Sequence, residues 1–207
     1  MTAFKEKFVA MLEDETGATA VEFAMVLIPF LTIVIAGMDV AHHAFMRTQL
    51  QGALADAARR ASVEDPEFIA AGDTLEDRIK NAVKDQVNIV APKATYDIEI
   101  SNFYDFSGIR NPEKLMRDNN ENGVFDSWDN DCFQDLNENG QHDSDTGRAG
   151  VGGASDVAFY QVTVTVPRLF PAHAYVGVSP KITMQAEIAV RNQPYDNQRE
   201  PPVVCGE

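Results

Sequence analysis

The chain has 207 residues, of which 44% are apolar, and a formal net charge of −15. That length suits one ordinary domain with a membrane anchor, and the composition supplies a core. The acidic balance excludes a nucleic-acid surface, because no basic stripe is present to neutralise phosphates.

Residues 1–16, MTAFKEKFVAMLEDET, are polar and amphipathic, with mixed charge. An apolar run follows from Phe23 to Met38, interrupted only by Pro29 and Thr32. Counted from Ala18, it approaches the roughly 20 residues that a spanning helix needs. A secretory signal carries its small residues after a shorter apolar core. Here Gly17 and Ala18 come first, which suits processing on the cytoplasmic side with the helix retained. Lys5 and Lys7 ahead of the run favour a cytoplasmic N-terminus, placing the remainder outside the cytoplasm. One residue is out of place. Glu22 sits near the start of the run, and a carboxylate in hydrocarbon costs about 2.5–3.5 kcal/mol on insertion scales.

The helix is expected to continue past the apolar run. Met46, Leu50, Ala53, Leu54, Ala57 and Ala61 recur at spacings of three and four, forming one apolar stripe. At 1.5 Å per residue the helix from Ala18 to Ala61 is about 65 Å long, and Pro29 should bend it. Asp39, His42 and His43 lie just beyond the span, where water can solvate them. Adjacent helical histidines do not face each other, so they read as surface residues rather than metal ligands. The segment SVEDPEF ends the helix ahead of Pro66.

A second amphipathic helix follows on Leu75, Ile79, Ala82, Val83, Val87 and Val90, with Pro92 past its end. ATYDIEISNF alternates through Tyr96, Ile98 and Ile100 as a strand does. VAFYQVTVTVPRLF and KITMQAEIAVRN read as neighbouring antiparallel strands joined by PAHAYVGVSP. The tail QPYDNQREPPVVCGE is Pro-rich and expected to be irregular. The fold class is therefore α+β: a long N-terminal transmembrane and amphipathic helix packed on a small antiparallel sheet. The division is 1–17 as a leader, 18–62 as the membrane and extended helix, and 63–207 as an extracytoplasmic domain with a loop-rich insert at about 105–153.

The insert holds nine acidic residues between Asp118 and Asp145 and no Lys or Arg. Two pieces align within it, DNNENGVFDSWD from Asp118 and DLNENGQHDSDT from Asp135, 17 residues apart. Both read D-x-N-x-N-G-x-x-D, the ligand pattern of a calcium loop. Calcium takes hard oxygens converging from alternate positions. Asp118, Asn120, Asn122, the carbonyl of Val124, Asp126 and Asp129 would supply them in the first copy. Asp135, Asn137, Asn139, the carbonyl of Gln141 and Asp143 would do so in the second. Gly123 and Gly140 permit the turn. The twelfth position of the second copy is Thr146, a poor ligand, although Asp145 is adjacent. The flanks lack the long helices of intracellular calcium sensors, so the loops resemble the extracellular repeats of dockerins and thrombospondin-type modules. The bland alternative is a disordered polar loop. Cys132 and Cys205 form one bridge if the domain is exported, and are two unpaired thiols otherwise.

The string GATAVEFAMVLIPFL resembles the processing site of type IV pilins of the tight-adherence (Flp) class, in which a glycine precedes four residues, a glutamate and an aromatic. GMDVAHHAFMRTQLQGALADAARRAS, continuing the helix, and ITMQAEIAVRNQPY, closing the sheet, make the TadE-like minor pseudopilins the nearer resemblance, over roughly residues 16–62 and 156–196. It implies cleavage after Gly17 by a prepilin peptidase, Ala18 as the new N-terminus, and Glu22 followed by Phe23 as the assembly signal. Glu22 would meet the N-terminal ammonium of a neighbouring subunit and set axial register. Other pilins and pseudopilins, and a bacterial inner membrane crossed once, are the implied partners, with the subunit either retained there or built into the pilus. The plain alternative is an uncleaved anchor on which Glu22 snorkels to water, carrying a calcium-dependent adhesin. No nucleophile elbow, zinc spacing or phosphate loop is present, so the chain reads as a non-enzyme.

Overall fold

The computed structural model describes residues 18–169 and 177–206. They fall into two compact units, one containing the chain up to Ala44 with the Arg168–Pro180 connection, the other Phe45–Pro167 with Lys181–Glu207.

Helix α1 spans Ala18–Ala61 without a break, and Pro29 lies inside it. In the first unit no residue of its apolar run is buried, and the helix is long and apolar enough to cross a membrane. Asp39 behaves differently from a solvated residue: it is buried and forms an ion pair with Arg168. A carboxylate is tolerable in such a place because the guanidinium neutralises it.

In the second unit the stripe from Met46 to Ala61 is buried at every anticipated position. Helix α2, Leu75–Asn88, contributes Ile79, Val83 and Val87 to the same core. It starts where Thr74 accepts from the Asp77 backbone N–H at 3.1 Å and donates to the Asp77 carboxylate at 2.9 Å, a reciprocal cap. It ends before Pro92, leaving Ile89 exposed.

Strands β1 (Thr95–Phe103), β4 (Arg148–Ala149), β5 (Val157–Pro167) and β6 (Lys181–Arg191) make an antiparallel sheet in the order β4-β1-β5-β6. Strands β5 and β6 pair along their whole length, from Val157 opposite Arg191 to Pro167 opposite Lys181. Alternation decides which face meets the helices: Tyr160, Val162, Val164, Ile182, Met184 and Ala186 are buried, and the residues between them are not.

A second sheet was not anticipated. Strands β2 (Leu115–Arg117), β3 (Cys132–Gln134) and β7 (Val203–Cys205) pair in the order β2-β3-β7. The insert therefore has its own framework, and the tail is partly a strand. Cys132 lies opposite Cys205 in the ladder, and the two are joined as a disulfide.

The core makes a prediction at high pH. Tyr96 donates to Asn88 Oδ1 at 2.8 Å, and burial pushes its phenol up to about 12. Burial first, and then the charge of Glu76, push Tyr160 upward as well. A phenol raised above its unfolded value near 10 stabilises the fold fully below that pH and loses the contribution as pH climbs toward the folded value. The melting temperature of the detergent-solubilised chain should fall between pH 10 and about 12. The Tyr160 hydroxyl is buried without a hydrogen-bond partner among the described residues. Tyr160→Phe should therefore flatten the alkaline fall and be equal to the parent, or about 1 kcal/mol more stable, at neutral pH.

Candidate functional site

The two acidic loops have one geometry repeated at an interval of 17 residues. Asp118 Oδ2 accepts from the Gly123 N–H at 2.7 Å, and Asp135 Oδ2 accepts from the Gly140 N–H at 2.7 Å. Asn120 Oδ1 accepts from the Asn122 N–H at 3.0 Å, and Asn137 Oδ1 from the Asn139 N–H at 3.2 Å. Asn122 Oδ1 accepts from the Val124 N–H, and Asn139 Oδ1 from the Gln141 N–H, both at 2.7 Å. Each side chain bonds to backbone a few residues ahead, which is how Asp and Asn drive a chain into turns. The backbone follows suit. Glu121 and Glu138 have φ of 57° and 61°, and Gly123 and Gly140 both have φ of 77°. Nothing lies near a Cβ added at either glycine, so glycine is required there by backbone conformation, not by space.

The amides of Asn120 and Asn122 donate to Asp126 Oδ2 at 3.2 and 2.8 Å. Asn137 and Asn139 do the same for Asp143 Oδ2. These bonds, Asn122 ahead of Asn120 and Asn137 ahead of Asn139, hold both carboxyls below the usual range.

Two further carboxylates complete the repeat, and the sequence reading missed both. Asp131 is fully buried and accepts from the N–H groups of Asn119 at 2.8 Å and Asp126 at 3.0 Å. Glu113 is buried and accepts from those of Leu136 at 2.7 Å and Asp143 at 3.1 Å. Asn119 and Leu136 are equivalent positions in the two loops, as are Asp126 and Asp143. The carboxylates themselves are not equivalent, for one follows its loop and the other precedes it. No sequence spacing reveals that. A register argument would have found another pair: Phe125 and His142, again 17 apart, stack at 4.9 Å, with Phe133 edge-on to both.

Donor chemistry in the loops fits a hard cation. Asp118 Oδ1 and Asp129 Oδ2 are shielded from water and have no hydrogen-bond partner among the described residues, so each retains an uncommitted acceptor. Among the described residues no three acids, histidines or cysteines converge as a metal cluster; the loops offer mixed acid and amide oxygens. The second loop is the more deeply built in. Asp135 is buried, and Glu138 pairs with Arg148 at 3.6 Å and with Arg199. Thr146 turns away from the loop and donates to Gly108 O at 3.0 Å.

In the first unit, Ala18 is the first residue of α1, and Gly17 lies outside the described residues. Glu22 and Phe23 are both exposed on the helix. Among the described residues none forms an ion pair with Glu22.

Residues 17–59 match the family model described as TadE-like protein. The match begins at the residue before α1 and stops inside it, and does not reach β5 or β6. No curated protein and no solved structure matches the chain.

Proposed function

We propose, from the TadE-like character of residues 17–59, that this chain is a minor pseudopilin of the tight-adherence pilus system. It is anchored in the bacterial inner membrane by the first part of α1, with its second unit in the periplasm or outside the cell. A prepilin peptidase cleaves after Gly17, and other pilins and pseudopilins are the assembly partners. The observation that carries this reading is Glu22, an exposed acid on an exposed apolar helix. In an assembly a neighbour's N-terminal ammonium neutralises it.

N-terminal sequencing of the protein extracted from pilus-making cells should read from Ala18. A start at Met1 would remove the processing step. Glu22→Ala should lower pilus number roughly a hundredfold, the equivalent of the about 3 kcal/mol lost when a buried pair loses one partner. Unchanged pili would leave a plain anchor.

The paired loops complete the proposal as calcium sites that stiffen the exposed unit. Titrating calcium into the solubilised chain should give heat in the millimolar range and raise its melting temperature, by about 1.4 kcal/mol of stability at ten times the dissociation constant. Neither heat nor a thermal shift at millimolar calcium would eliminate these sites.

A further inference from the structure

The connection between β5 and β6 carries a feature that neither the loops nor Glu22 uses. Arg168 opens it and Pro180 closes it, and Arg168 holds both limbs. Its backbone N–H donates to Pro180 O at 2.9 Å, and its Nε donates to Ser179 O at 2.8 Å. Its Nη1 is paired with Asp39. Asp39 directly follows Met38, the last residue of the apolar run of α1. The described ends of the connection are thus fixed to the helix at the level where the apolar run ends.

On either side of this clasp stand exposed apolar residues. Leu169 is 62% and Val178 45% exposed, and on α1 at the same level Met38 is 53% and Val40 69% exposed. The ion pair itself is largely withdrawn from solvent, with Asp39 11% and Arg168 23% exposed at the side chain. An acid and a base brought together next to hydrocarbon cancel most of the charge that would otherwise resist entry. Apolar side chains at that level meet the headgroup boundary, where small apolar groups bind by burial a few ångströms deep.

We propose that Leu169 and Val178, clasped to α1 by Arg168 and Asp39, insert into the headgroup boundary of the bilayer that α1 enters. The partner is a lipid surface, and the contact makes the membrane attachment two-pronged: one helix and one strand connection. This inference rests on the membrane-anchor reading of α1, and the test separates the two.

The chain has one tryptophan, Trp128, so Trp128→Phe gives a silent background. Into it are placed, one at a time, Leu169→Trp, Val178→Trp, Ile33→Trp inside the apolar run, and Ile69→Trp as a water reference, since Ile69 is fully exposed. The full chain is reconstituted in phosphatidylethanolamine and phosphatidylglycerol vesicles containing lipid brominated either near the headgroup or near the chain ends. The probes at 169 and 178 should be blue-shifted relative to that at 69 and lose intensity chiefly to the bromine nearest the headgroup. Arg168→Gln in the Leu169→Trp chain should reduce that loss while circular dichroism stays unchanged. If the probes at 169 and 178 match that at 69 while the probe at 33 is quenched, the insertion is wrong and the anchor stands. If the probe at 33 is also unquenched, the anchor reading falls and takes the insertion with it.

Discussion

Replacing Cys132 and Cys205 together by serine should destabilise the second unit by about 4 kcal/mol, the chain-entropy value for a closed loop of this size. The bridge joins residues 73 apart, so cutting it returns a large amount of freedom to the unfolded chain. The native side is equally exposed to the loss. Strand β7 has three residues paired with β3, too short a ladder to hold a Pro-rich tail unaided. Denaturant titration of the solubilised chain should show the serine variant unfolding well before the parent, and the parent in reductant should converge on the variant. Limited proteolysis should then cut near residues 195–207 in both. Coincident midpoints for parent and variant would mean that the ladder and the Arg199–Glu138 pair hold the tail by themselves.

Glu113→Ala should cost about 3 kcal/mol, because it strips the acceptor from two backbone donors at once. Glu113 is 3% exposed, and the N–H groups of Leu136 and Asp143 both end on its carboxylate. Left unpaired, they would destabilise the second loop. Glu113→Gln keeps one acceptor oxygen and should cost about half as much. Hydrogen exchange read by mass spectrometry is the discriminating measurement. Exchange should accelerate across residues 135–146 in the alanine variant and less so across 118–129, whose corresponding donors end on Asp131. Uniform acceleration in both loops would show that the two are one cooperative piece rather than two with separate supports.

Elements with a period were legible in the sequence. The stripe from Met46 to Ala61, the face of α2 and the alternation of β5 and β6 each repeat over three or more turns or pairs, so the pattern outweighs any single residue. The D-x-N-x-N-G-x-x-D repeat was legible for the same reason, and its turn geometry follows from local side-chain bonds to backbone. What escaped is set by contacts distant in sequence. Strands β2 and β7 are three residues long and contain no period. Glu113 reaches Asp143 across 30 residues, and Arg168 reaches Asp39 across 129. Asp39 looked solvated because the residue that covers it is invisible from its own neighbourhood. The family match is equally uneven: it covers residues 17–59 and stops before the sheet.

Strand β6 lies at one end of its sheet, and among the described residues no strand pairs with its outer side. An open eleven-residue border invites adhesion between copies of a chain. Lys181, Glu187 and Arg191 stand along it, Glu187 already engaged by Arg110 at 2.7 Å. Stripping water from those groups would penalise a second copy's strand lying alongside. Three ionic side chains thus guard an otherwise inviting border.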